Sequence, residues 1–199
     1  MGASTLLDIV GSIIIGGVLL LILFRLQATA SETSYDSSQD LIVQQNLTTL
    51  IDILQSDFRK IGYCADYTKI TNPADVILYA DSNKIKFIAD LNDAGVLDTV
   101  DYYTGSTSEL SNTPNPRDKL LYRVINGEAP KGSNLGVTEF KLIYFDVLGK
   151  TLSTPVNPTG QIASVQVDLK VENSEAMNNQ YQNAFWRQVR FTTRNLNNR

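Results

Sequence analysis

The stretch Asp90-Leu91-Asn92-Asp93-Ala94-Gly95-Val96-Leu97-Asp98, followed by Asp101, places side-chain oxygens at the first, third, ninth and twelfth positions around a glycine at the sixth. That is the spacing of a calcium loop, because calcium takes six to eight oxygen ligands on a tightly turning chain. Asp90, Asn92, Asp98 and Asp101 are therefore the candidate metal ligands, with calcium as the ion. Two details differ from such a loop: the fifth position is Ala94, and the last is Asp where a bidentate Glu is usual. The competing reading is a hairpin turn in which Asp and Asn cap their own backbone.

The remaining inventory of reactive groups is short. The chain has no histidine and one cysteine, Cys64, which excludes a Cys/His zinc site, an internal disulfide and a histidine-based triad. Without an imidazole to activate it, Cys64 reads as a small buried hydrophobe. No phosphate loop, nucleophile elbow or paired acid/base carboxylates stand out, and Trp186-Arg187 reads as core and rim of a strand. The net charge is -4, from 17 basic and 21 acidic groups with the basic ones scattered. That leaves no electrostatic footprint for nucleic acid. The expectation is a non-enzymatic protein with no organic cofactor.

Asp8 stands alone before a long apolar run that continues without charge from Ile9 to Phe24 and ends at Arg25. With Leu6 and Leu7 the stretch rises about 28 Å as a helix, close to the hydrocarbon thickness of a bilayer. A carboxylate at that edge is costly unless it finds a partner or faces protein. Ser12 and Gly16, four residues apart, share a helix face; with Gly17 they permit close approach of another helix in lipid. Asp8 and Arg25 lie about 25 Å apart along the axis, too far to pair within one helix but able to pair in a staggered bundle. The expected assembly residues are thus Asp8, Ser12, Gly16, Gly17 and Arg25.

Three segments must position these groups. Residues 1–26 form the membrane or assembly segment. Residues 27–62 continue the helix amphipathically, with Leu47, Leu50 or Ile51, Leu54, Phe58 and Ile61 as its apolar stripe and Gly62 as its left-handed stop, giving a helix of roughly 85 Å. Residues 63–199 switch to strand-like runs at 76–80, 84–91, 100–103, 119–126, 137–146, 162–171 and 185–194. Between them, residues 104–118 are rich in Gly, Ser, Thr, Asn and Pro and read as an exposed, mobile loop. Loops at 127–136 and 149–160 carry Gly and Pro punctuation. A sheet with one wet face needs a cover for the other, and the helical stripe supplies it. The expected fold is α+β: a long N-terminal helix packed on an antiparallel β-sheet.

Three stretches carry a resemblance. The start Ser4-Thr5-Leu6-Leu7-Asp8-Ile9-Val10, the helix exit "DILQSDFRKIGYCAD", and the ordered series "KLLYRVING", "GVTEFKLIYFDVLG", "IASVQVDLKVE" and "VRFTTRNL" with its terminal Arg194-Asn195-Leu196 together resemble minor pilins and minor pseudopilins of type IV pili and type II secretion systems. The resemblance implies a pilin-like fold and a minor filament subunit that assembles through its N-terminal helix, with Asp8 in the place of an acid that meets a neighbour's terminal amine. It implies other pilins or pseudopilins and the inner-membrane assembly machinery as partners. It also implies a bacterial inner-membrane location with the C-terminal domain periplasmic or extracellular. Family members are processed after a glycine. Aligning Asp8 with the family's fifth-position glutamate puts Ala3 in the glycine slot and Ser4 first. Taking Gly2 as the processing glycine makes Ala3 first and Asp8 sixth. The alternative to a filament subunit is a single-pass membrane-anchored binding or adaptor domain.

Overall fold

The computed structural model describes residues 2–176 and 180–191, and the side chains of all of these but 2–5, 189 and 190. Arg194, Asn195, Leu196 and the last three positions of the predicted strand 185–194 lie outside the described residues. The chain divides into two units, residues 1–41 and 42–199. One helix, α1 (Gly2–Arg59), begins in the first and ends in the second.

In the second unit α1 covers an antiparallel sheet, giving the expected α+β arrangement. The strands are β1 (Ile77–Ala80), β2 (Lys84–Ala89), β3 (Asp98–Thr104), β4 (Lys119–Ile125), β5 (Lys131–Phe145), β6 (Thr151–Leu152), β7 (Ser164–Glu172) and β8 (Asn183–Phe191). Their order is β1-β2-β3-β4-β5-β7-β8, with β6 paired to β5. Val43, Leu47, Leu50, Leu54, Phe58 and Ile61 are buried at spacings of three and four, while Ile51 is only partly buried, so Leu50 belongs to the stripe. Burying each such side chain contributes about 1.5–3 kcal/mol. Phe58 sits at the centre, its ring centroid 5.6 Å from Phe87, 5.7 Å from Tyr102 and 5.4 Å from Phe191.

The helix stops as its sequence directs. After Arg59 the amides of Lys60 and Ile61 donate to the carbonyls of Asp57 and Phe58, and Gly62 takes φ +68° while its N–H donates to Ile88. Only glycine adopts that backbone without strain.

Two loop expectations are corrected. Residues 131–136 belong to β5, whose Lys131, Gly132 and Ser133 pair with Arg123, Tyr122 and Leu121 of β4. Ladder bonds recruit residues of low strand propensity there, and Gly132 leaves room for the Tyr122 ring, which a Cβ would meet at 2.8 Å. Residues 104–118 were expected to be exposed, yet Asn115 and Asp118 are buried. Thr107–Leu110 forms a short 3-10 helix closed by a Ser106/Glu109 capping box. Asn115 Nδ2 donates to Glu172 Oε2 and to the Asn173 carbonyl, both at 3.1 Å, and the Arg117 guanidinium reaches Glu172 at 2.9 and 2.7 Å. These bonds join partners more than fifty residues away, which local composition does not reveal.

Candidate functional site

In the first unit the groups expected to act in assembly lie on α1. Among the described residues this is the one helix long and apolar enough to cross a membrane, and its apolar stretch is not buried anywhere within the chain. The large apolar side chains of residues 6–26 are exposed. At about 100° per residue, Ser12 and Gly16 lie within about 80° of Asp8 on one face, while Gly17 falls on the opposite side. A Cβ at Gly16 or Gly17 would meet nothing within 4 Å outside the adjoining turns of the helix. The Ser12 hydroxyl donates to the Asp8 carbonyl at 2.7 Å, so it is occupied within the helix. Arg25 is about 25 Å further along and on another face, so α1 keeps the two charges apart. Gly2, Ala3 and Ser4 fall in the first turn of α1.

The calcium-like stretch is built differently from a metal loop. Asp90 is fully buried, and its carboxylate accepts the backbone N–H of Ala65 (3.1 Å), Ala94 (3.1 Å) and Gly95 (2.7 Å). Burial alone would raise its pKa, but these backbone donors outweigh it and hold Asp90 below the ordinary carboxylate value. Asn92 Oδ1 accepts from the Ala94 amide, and Asp98 accepts from the Leu91 amide and from Asn126 Nδ2. Asp101 is three residues beyond Asp98 on β3, an odd interval that turns its side chain to the other face, where it pairs with Lys84 at 3.2 Å. The four predicted ligands therefore do not converge. Among the described residues no group of three or more acidic, cysteine or histidine side chains is placed to hold a metal.

A positive charge is present at this loop nonetheless, and the protein supplies it. The Lys60 ammonium, just past the end of α1, donates to the Leu91 carbonyl at 2.7 Å and to Asp93 Oδ1 at 3.1 Å. With Asp90 N–H donating to Tyr63 and Gly62 N–H to Ile88, the helix exit is stitched to the β2–β3 connection. Lys60→Met is expected to cost about 1 kcal/mol, below the range for charged hydrogen bonds because Asp93 is largely solvated. Hydrogen exchange at the Gly95 amide should rise with it; unchanged exchange there would exclude Lys60 as the lock.

Most buried charges of the second unit are engaged with opposite charges. Asp57 of α1 accepts from the Tyr102 hydroxyl at 2.5 Å and takes a two-bonded Arg123 guanidinium, Nε at 2.6 Å and Nη2 at 3.0 Å. Arg123 Nε also reaches the Tyr102 oxygen at 3.0 Å. Burial, followed by the negative charge and hydrogen bond of Asp57, pushes the Tyr102 phenol far above its ordinary value. The bond to Asp57 raises Arg123 further still, against the opposing effect of burial. Both groups are locked in one protonation state, which suits a structural clamp and not proton transfer. Asp168 is similarly held by Arg187 at 2.9 Å on both oxygens, and Trp186 packs on the core as a core-and-rim pair requires. Cys64 is buried with its Sγ 3.9 Å from Asp90 Oδ2.

Asp57 and Arg123 were not among the expected residues. The detectable signal was Asp57 itself, which occupies the apolar stripe between Leu54 and Ile61 and so had to meet a cation in the core. Comparison of the chain with protein-family models, curated proteins and solved structures gives no match.

Proposed function

We propose that this chain is a non-enzymatic subunit of a pilus-like or secretion-type filament of the pilin class, joining its neighbours through the N-terminal part of α1. The observation that carries the reading is an apolar helix with no cover among the described residues, interrupted near its start by Asp8 on the face it shares with Ser12 and Gly16. A charged residue at the centre of a spanning helix costs about 2.5–3.5 kcal/mol on insertion scales, less toward the edge where Asp8 stands, and a partner's cation removes much of that cost. A neighbour's terminal amine or its Arg25 is the natural partner in a staggered bundle. In this reading the helix lies in the bacterial inner membrane before assembly, the domain faces the periplasm or the exterior, and the assembly machinery delivers subunits to the filament.

The test is recovery of partner subunits with the full-length protein from native membranes. Asp8→Ala is expected to lower that recovery several-fold while circular dichroism of the protein is unchanged; equal recovery overturns the role of Asp8. A second arm replaces residues 1–25 with an unrelated single-span anchor. Undiminished partner recovery from that chimera would replace the filament reading with an anchored adaptor domain.

A further inference from the structure

Two surface features of the second unit remain unused by the contacts above, and they belong to the same end of the sheet. The first is the tip of the β5–β6 hairpin. Asp146 Oδ1 accepts the N–H of Leu148 at 2.9 Å and of Lys150 at 2.8 Å, while backbone bonds join Asp146 with Gly149 and Lys150. Gly149 takes φ +78°. This bonding fixes the turn, and it holds Val147 and Leu148 out to solvent at 73% and 90% exposure. Adjacent aliphatic side chains displayed on a rigid turn expose apolar surface that a monomer gains nothing by presenting.

The second is a cleft of about 630 Å³ beside the edge strand β1, lined among others by Leu78, Tyr79, Pro155, Val156 and Pro158. Gly160 approaches Ala74 so closely that a Cβ would lie 3.2 Å from its methyl, and both residues line the cleft. Asp75 stands on the rim, and Asp81 follows β1 directly. Leu142 N–H donates to the Ser82 carbonyl, the Tyr144 hydroxyl to the Asp81 carbonyl, and Val156 N–H to the Ala80 carbonyl. The cleft is thereby fastened to the C-terminal end of β5, from which the tip projects.

We propose that two copies of this chain associate through this end of the domain, the Val147–Leu148 tip of each entering the β1 cleft of the other. Chemical complementarity selects a second copy: the aliphatic pair matches the Leu, Tyr, Val and Pro lining, and the exposed Lys150 beside the tip matches Asp75 of the cleft. The placement supports a two-fold relation. Knob and cleft both adjoin the joined ends of β1 and β5, so a two-fold axis makes each contact twice, whereas insertion one way leaves a tip and a cleft unfilled. This proposal stands apart from the assembly role of α1.

The test uses two full-length chains of different tag size, one carrying Leu148→Cys and the other Thr159→Cys, co-expressed and oxidised in membranes. Cys64 is buried, and the otherwise wild-type pair serves as the control for it. A mixed covalent dimer is expected at least tenfold above the homodimers of either variant alone. Adding Leu148→Asp to the wild-type chain should lower the dimer fraction measured by light scattering at least tenfold. Homodimers as abundant as the mixed species, or a dimer fraction indifferent to Leu148→Asp, overturns the proposal. Protection of the thiol introduced by Leu148→Cys in a monomeric chain also overturns it, since another occupant then covers the tip.

Discussion

Arg123→Met is expected to destabilise the domain by about 3–5 kcal/mol, because it strands the buried Asp57 carboxylate against the core with only the Tyr102 hydroxyl as donor. Removing the other partner should cost less. Asp57→Asn leaves an Arg123 side chain that is 34% exposed and able to turn toward water, so about 1–3 kcal/mol is expected there. Tyr102→Phe keeps the ion pair and should cost least. The ordering is the diagnostic, since an interaction worth only its Coulomb energy would lose the same amount from either end. Trp186 is the one tryptophan and packs on the core, so urea denaturation followed by its fluorescence reads all three variants. Equal losses from Arg123→Met and Asp57→Asn would show that the carboxylate is solvated on opening and that the clamp is not desolvated as described.

The division of the chain into an uncovered helix and a largely self-satisfied domain was legible in unequal degree. Leu47, Leu50, Leu54, Phe58 and Ile61 announced the helix and its buried face through periodicity, and the alternation of Val165, Val167, Leu169 and Val171 announced β7, because both signals depend only on local spacing. Partner identity did not follow. Asp57 meets Arg123 across 66 residues of sequence, and Asn115 meets Glu172 across 57, separations at which no spacing rule operates. The Asp90 stretch was misleading for a related reason. Its oxygens are spaced as a metal loop would space them, but backbone amides of Ala65, Ala94 and Gly95 reach Asp90 first and Lys60 arrives from the end of α1. Backbone donors are the same in every residue but proline and leave no mark in the sequence. The N-terminal features had the opposite character: Asp8, Ser12 and Gly16 could be placed on one face from helical geometry alone, since among the described residues nothing buries this stretch of the helix.

Asp118→Asn is expected to stabilise the protein at neutral pH by about 1–3 kcal/mol, the usual penalty of a buried polar group without a partner. Asp118 is only 2% exposed, and its Oδ1 has no hydrogen-bond partner among the described residues. Burial raises its pKa above the ordinary carboxylate value; a hydrogen bond with Thr113 opposes that, the charge of Glu172 adds to it, and Arg117 opposes it. Asp118 thus runs against Glu172, where bonds from Lys170, Asn115 and Arg117 outweigh burial and depress the pKa. The sign follows from proton linkage. Between the ordinary value and the raised folded-state value, the folded chain binds more protons at Asp118 than the unfolded chain, so this residue's contribution improves as pH falls through that window. Above the folded-state value the penalty is present in full, and below the ordinary value the contribution no longer changes. The neutral amide removes this dependence together with the cost of burying a charge. The stability difference between variant and wild type should therefore be largest at pH 7 and shrink toward pH 4. Subtracting the two denaturation curves at each pH cancels the opposite slopes of Asp168 and Asp90, which lose their stabilising effect in acid, and that of Glu172 apart from its coupling to Asp118. A difference that is constant with pH, or a variant less stable than wild type at pH 7, would place a donor on Asp118 Oδ1 and a charged carboxylate in its buried site.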